Sequence, residues 1–395
     1  MAYERYSNRI GDNQVALSGL VVTAVFFLVS SQVLILPLPS IATQVFRPLI
    51  VLACMFRMRD TGGVNSWAST FAIIAAIHAL ASLVFHTELW SSKVFFSGIA
   101  VVLYFLMFAF AISVKWSGHE LKFMLFFSFF ACFICAVALL TSNDPTDFQA
   151  ATVGHLKLLG YEVNRNKNAY QFSFGVVLGL IYLFKGKRIP KLLFAGMTAV
   201  MVYALLYSQC RGAFLCCVAG STVVILGMLL DLRKRSGSTA FTLLVLTVLA
   251  YIAAYMLLKN SELSRLINTD NTSGRDEGIV EALNIFRNSD FFSRLFGSGF
   301  GYESTQIEGI GAHMVFVSFL VSIGILGMLL TLGMFTSAFR RCFGAGAYGL
   351  FLCAFLKAFF ESADYNIYIP MILAVLICDY ARRTGRSHYE LFSRK

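Results

Sequence analysis

The chain has 395 residues, of which 58% are hydrophobic, 15% aromatic and 13% charged. So little charge cannot cover the surface of a water-soluble domain, which excludes a soluble globular protein. The formal net charge of +11 reads as anchoring charge beside a membrane and not as a nucleic-acid footprint, because apolar runs long enough to cross about 30 Å of hydrocarbon recur from end to end.

The run from about Val15 to Leu36 follows Arg5 and Arg9. It is too long for a secretory signal core and lacks a small-residue cleavage pattern before Pro37 and Pro39, so it is expected to be the first span. Further spans are expected at Ser40–Phe56, Ser66–Phe85, Val94–Val114, Leu121–Thr141, Ala169–Phe184, Leu192–Gln209, Gly212–Asp231, Ala240–Leu258, Met314–Phe339, Ala347–Glu361 and Ile367–Tyr380, about twelve in all. Twelve spans put one set of basic residues on a single side: Arg5, Arg9, Arg57, Arg59, Lys115, Lys122, Lys185, Lys187, Arg188, Lys191, Arg233, Lys234, Arg235, Arg340, Arg341 and the tail residues Arg382, Arg383, Arg386, Arg394 and Lys395. These are most of the 32 Lys and Arg residues, so both termini are expected in the cytoplasm. The nine cysteines lie mostly inside apolar runs, are odd in number and lack metal-ligand spacing; they are expected to be small apolar residues.

Two outward connections are long, 142–168 and 259–312. Long connections of this kind are usually functional. With no internal repeat or low-complexity tract, the expected fold is an all-α polytopic membrane protein. It forms one transmembrane domain over 1–395, capped on its outer face by the two loops.

Cations left on the outer side need a reason other than orientation. In the short turn Ser208-Gln209-Cys210-Arg211-Gly212-Ala213, the Arg211 guanidinium presents a planar fork suited to phosphate oxygens, and Gly212 permits close backbone approach. The competing reading is an Arg snorkelling at an interface. In the larger loop, Ser273 followed by Asp276 signals a helix start before Ile279, Leu283 and Phe286 at helical spacing. Arg275 in that first turn opposes the helix dipole. It can share a bound anion with the exposed amides of the turn, or pair with a nearby carboxylate.

The string Leu295-Phe296-Gly297-Ser298-Gly299-Phe300-Gly301 follows a helix and faces outward, so it does not read as a nucleotide loop. His313 opens the next apolar run and can exchange a proton near neutral pH; a structural histidine is the alternative. Within the spans, Lys357 has Glu361 one turn on as a partner. Arg47 has no local partner and is the candidate for lining a lipid-phosphate pocket.

Taken in order, Ser208–Phe214 with its Arg-Gly-Ala-aromatic core, Gly274-Arg275 with the helix to Phe286, Leu295–Gly301, and His313 through Gly324 and Gly327 resemble the bacterial O-antigen ligase and O-antigen polymerase superfamily. The resemblance covers roughly Asn166 to Asn366. It implies a GT-C-like inner-membrane glycosyltransferase acting at the periplasmic face, inverting and without a metal or other cofactor. Arg211 and Arg275 would bind the diphosphate of an undecaprenyl-diphosphate-linked glycan, and His313 would act as base on the acceptor hydroxyl or orient it. Glu303 and Glu308 are reserve candidates for the base. The implied partners are that glycan donor, a glycan or lipid A core acceptor, membrane lipids and, where present, a chain-length regulator; no nucleic acid is implied. The ligase branch of the family usually carries Asn after the histidine, whereas this chain has Met314, which favours polymerase. A flippase for the same lipid-linked sugars is the reading of another class, with internal repeats and broken helices as its expected marks.

Overall fold

The computed structural model describes residues 52, 54, 106–144, 155–158, 161–185, 188–233, 275–299, 314–360, 368–386 and 391–392. Nearly all of this is helical. In chain order the elements are α1 (Gly118–Ser142), the strands β1 (His155–Leu158) and β2 (Tyr161–Asn164), then α2 (Arg165–Lys185), α3 (Arg188–Tyr207), α4 (Arg211–Arg233), α5 (Arg275–Asn288), α6 (Phe291–Phe296), α7 (Val315–Arg341), α8 (Ala345–Phe360) and α9 (Tyr368–Thr384). Residues 106–113 are helical as well.

α1, α7 and the stretch Arg211–Leu230 of α4 are long and apolar enough to cross a membrane; α2, α3 and α8 carry shorter apolar runs. The expected spans at 121–141, 169–184, 192–209, 212–231, 314–339, 347–361 and 367–380 each coincide with one of these helices or with α9. Those at 15–36, 66–85 and 240–258 lie outside the described residues, as do nearly all of 40–56 and the first part of 94–114. Exposed Leu192, Leu193, Leu215, Leu226, Leu230 and Leu329 give the bundle an apolar outer surface. Such a surface invites association in water and is the solvated state in lipid.

The expected loop over 142–168 holds structure that the sequence pattern did not suggest. β1 and β2 form a tight antiparallel hairpin with His155 opposite Asn164 and Leu158 opposite Tyr161, and β2 runs directly into α2.

α2 sits among α1, α3, α4 and α8. Small residues bring these helices together, as is usual where lipid removes the hydrophobic drive for helix association. A Cβ at Gly220 of α4 would lie 2.9 Å from the Gly349 carbonyl of α8, and one at Gly349 would lie 2.8 Å from the Gly220 carbonyl. The α7–α8 seam is aromatic, with Phe316, Phe335, Phe351, Phe355 and Phe359 in mutual ring contact at 5.1–6.5 Å.

One end of the bundle gathers cations. Ser117 and Glu120 form a reciprocal capping box at the start of α1. Beside it, Arg383 donates to the Trp116 carbonyl at 3.0 Å and pairs with Asp379 at 2.7 Å, and Arg386 reaches the Tyr380 hydroxyl at 3.3 Å. Arg382 reaches the Arg340 carbonyl at the end of α7. Tyr182 near the end of α2 stacks on Phe194 of α3 at 4.6 Å and meets Phe392 at 5.2 Å. Basic residues from separate connections therefore share one end, as the sequence pattern requires.

α7 is broken. Gly324 has φ 66° and ψ −172°, a conformation essentially restricted to glycine. An unbroken helix would give the Val321 and Ser322 carbonyls to the amides four residues on. Here they accept from Ser298 at 2.8 Å and Gly299 at 3.0 Å, so the glycine-rich string after α6 seals the break. A Cβ at Gly297 would collide with the Ser322 carbonyl, and one at Gly324 would lie 2.5 Å from the Leu295 carbonyl oxygen. The half of α7 before the break is enclosed, with Val315, Phe316, Phe319, Val321 and Ile323 buried; the half after it exposes Ile325, Leu326, Leu329 and Leu332. Against the enclosed half, Ala282 of α5 packs on Val321, with Ile285, Phe286 and Val317 alongside. The inward face of α5 thus centres on Ala282, one position before the Leu283 suggested by periodicity. α6 is opened by Asp290, which accepts from the Ser293 amide at 2.9 Å and its hydroxyl at 2.8 Å.

Gly324→Ala should cost about 1–3 kcal/mol through backbone strain and loosen α6 from α7. Tryptic cleavage after Arg287 and Arg294 should then accelerate in the detergent-solubilised protein, with membrane insertion unchanged. A second expectation concerns acid. The Ser293 amide and hydroxyl hold the Asp290 carboxyl below the usual carboxylate range. A group depressed in the folded state stabilises fully above its unfolded pKa and loses that effect as pH falls through the folded value. The protection of the α6 amides, relative to their intrinsic exchange rates at each pH, should therefore fall on acidification, and Asp290→Ala should remove that dependence.

Candidate functional site

The end of the bundle away from the clustered cations is built from five helix termini among the described residues. They are the starts of α2, α4 and α7 and the end of α8, together with the last turn of α3. About 18 Å of helix separates Tyr170 from Tyr182 along α2.

The α3–α4 turn is unusual for a turn between membrane helices. Tyr207, Ser208, Gln209 and Cys210 are all buried, whereas connections ordinarily run over the surface. Gln209 has φ 49°, the left-handed region that a long side chain rarely occupies. Its amide bonds the Leu206 carbonyl at 3.0 Å, and the Cys210 carbonyl accepts the first bond of α4 from Phe214 at 3.0 Å. Arg211 follows as the first residue of α4 and is half-buried.

Gly212 sets how closely the neighbours approach. A Cβ there would collide with the Tyr170 hydroxyl and would lie 2.9 Å from Phe360 Cβ, so α2, α4 and α8 converge on the residue beside Arg211. Ser173 tightens the junction by donating to the Ala213 carbonyl at 2.6 Å. From α8, the Lys357 ammonium lies 5.0 Å from the Tyr170 ring centroid, within cation–π range, and Lys357 is only 3% exposed. The first turn of α7 joins the same end: Phe316 meets Phe359 at 5.2 Å, next to Phe360, and Met314 packs against the main core. Asn168 and Gln171 of α2 are buried there too, and Asn168 Nδ2 has no hydrogen-bond partner among the described residues.

The expected site residues divide as follows. Arg211 lies in this junction. Arg275 is the first residue of α5, as the capping pattern predicts. Its helix packs on α7, which packs on α8, which packs on α4. Arg47, Glu303, Glu308 and His313 lie outside the described residues; the residue after His313 opens α7 at the junction. Glu361 is outside them as well, and the neighbour found for Lys357 is Tyr170, on another helix. Tyr170, Asn168, Gln171, Tyr207 and Gln209 were not singled out from sequence. Their signal was there: amide and phenol side chains in the first two turns of α2, at the last residue of α3 and in the turn that follows it.

All nine cysteines are buried thiols outside any disulfide. Among the described residues no group of three or more His, Cys, Asp or Glu side chains is arranged to hold a metal ion. Chemically, the junction offers cations, phenols and amides, a donor set suited to an anion. Set against family models, curated proteins and solved structures, the chain matches none.

Gly212→Ala should force Tyr170 and Phe360 apart. Overpacking of this kind costs about 1–3 kcal/mol, and a lower thermal midpoint of the purified protein would register it.

Proposed function

We propose that the chain is a GT-C-like membrane glycosyltransferase that polymerises undecaprenyl-diphosphate-linked oligosaccharide repeats at the periplasmic face of a bacterial inner membrane. The observation that carries the reading is that the end of α8 joins the starts of α4 and α7: Phe360 lies beside Gly212, the neighbour of Arg211, and Phe359 meets Phe316, three residues after His313 in the chain, at the end of the bundle opposite the clustered cations. The order of the motifs along the chain supports it independently.

In this reading a hydroxyl of the acceptor sugar attacks the anomeric carbon of the donor from the face opposite the diphosphate. The new glycosidic C–O bond forms as the bond from that carbon to the phosphate oxygen breaks, which inverts the centre. His313 accepts the hydroxyl proton or orients the hydroxyl. The departing undecaprenyl diphosphate gains negative charge, and Arg211 and Arg275 stabilise it most strongly in the transition state. Arg47 would line the lipid-phosphate path, and Glu303 and Glu308 are the alternative bases.

The break in α7 gives the flippase reading a specific observation, since transporters place substrates at discontinuous helices. In transporters the freed backbone groups face substrate or ions. In α7 the Val321 and Ser322 carbonyls are consumed by Ser298 and Gly299, so the break serves loop docking.

The test is transfer by the purified full-length protein in detergent, where no membrane separates two compartments. A ladder of products from the lipid-linked repeat alone supports polymerase. Product formed only when lipid A core is supplied assigns the ligase reaction instead, and the absence of both defeats the transferase reading. Arg211→Ala and Arg275→Ala should each lower transfer by about 100-fold or more while the protein elutes as folded. Near-normal rates in both would overturn the diphosphate assignment.

A further inference from the structure

We infer that Lys357 is a substrate-binding cation of the Arg211 site, held in place over Tyr170 to receive a diphosphate. The inference rests on the glycosyl-transfer reading for the identity of the lipid, and on the packing alone for the site.

Lys357 stands in the apolar run Ala345–Phe360 and is 3% exposed. An ionisable side chain so placed is costly in a membrane protein and marks a substrate or ion path by default. The alternative for a lysine near a helix end is to snorkel toward the interface along its flexible stem. Lys357 instead turns inward, its ammonium 5.0 Å from the centroid of Tyr170. The Tyr170 hydroxyl in turn occupies the space where a Cβ of Gly212 would be. One aromatic ring thus touches both the ammonium and the backbone beside Arg211. The ring fixes the lysine, and the missing Cβ fixes the ring against α4.

A point cation on α8 and a planar guanidinium on the adjoining α4 suit a diphosphate, the first as a compact charge and the second as a two-pronged donor. Lys357 is a binding residue in this scheme and takes no part in proton transfer.

The experiment uses the full-length protein in detergent and measures affinity for undecaprenyl diphosphate, affinity for inorganic pyrophosphate, and the KM and kcat of transfer. Lys357→Met should weaken undecaprenyl diphosphate binding by about tenfold and raise the donor KM by a similar factor, with kcat changed by less than about threefold. Lys357→Arg should recover most of the affinity. Unchanged affinity in Lys357→Met overturns the inference. So does a failure of both Lys357→Met and Lys357→Gln to fold, since that makes the lysine structural. Pyrophosphate binding as tight as the lipid would also overturn it, by pointing to a soluble diphosphate. A parent chain that binds undecaprenyl diphosphate through Lys357 but transfers no sugar keeps this site and removes the enzymatic reading. A parent chain that transfers sugar equally well without Lys357 does the reverse.

Discussion

Backbone amides and carbonyls inside a hydrocarbon layer have no water to bond, so the protein must satisfy each of them itself. α7 meets this constraint at Gly324, where the helix breaks and two freed carbonyls accept from Ser298 and Gly299. The docking depends on two missing side chains, at Gly297 and Gly324, because a Cβ at either would strike backbone of the other segment. Once the string is seated, α6 and α5 lie against the first half of α7, and that half is enclosed by protein. Its Phe316 can then pack on Phe359 at the end of α8, which brings the start of α7 to the junction with α4.

The two ends of the bundle treat charge differently. At one end Arg382, Arg383 and Arg386 are spread over carbonyls, a carboxylate and a phenol near the surface. Exposed arrangements of this sort contribute little stability and fix orientation instead. At the other end Lys357 is buried over an aromatic ring, and Gln209 holds a left-handed backbone in a buried turn. Both features cost free energy, and strain and buried charge gather where function demands them. The contrast directs attention to the second end even without reference to any family.

The proposed transfer needs an anion site beside a water-excluding wall. The aromatic seam between α7 and α8 supplies such a wall, and the junction of α2, α4 and α8 supplies the cations. The linkage is mechanical as well as chemical. Tyr170 touches Gly212, Ser173 bonds the Ala213 carbonyl, and Gly220 meets Gly349 two turns further along, so the start of α4 is held at several levels.

Hydropathy, charge and capping signals determined the membrane class, the positions of the long apolar helices among the described residues, the shared end of the basic residues, and the starts of α4 and α5 beside Arg211 and Arg275. These are local properties: a span needs only length and apolarity, and a helix start needs only a cap. The β1–β2 hairpin, the inward face of α5 on Ala282, the break at Gly324 and the partnership of Lys357 with Tyr170 were decided by tertiary structure. Lipid and protein interior are equally apolar, so a hydrophobic helix does not reveal which face meets a neighbour. A glycine likewise reads the same whether open space adjoins it, as at Gly333, or another backbone presses against it, as at Gly297. Only the packed neighbour, distant in the chain, turns the absence of a side chain into a contact.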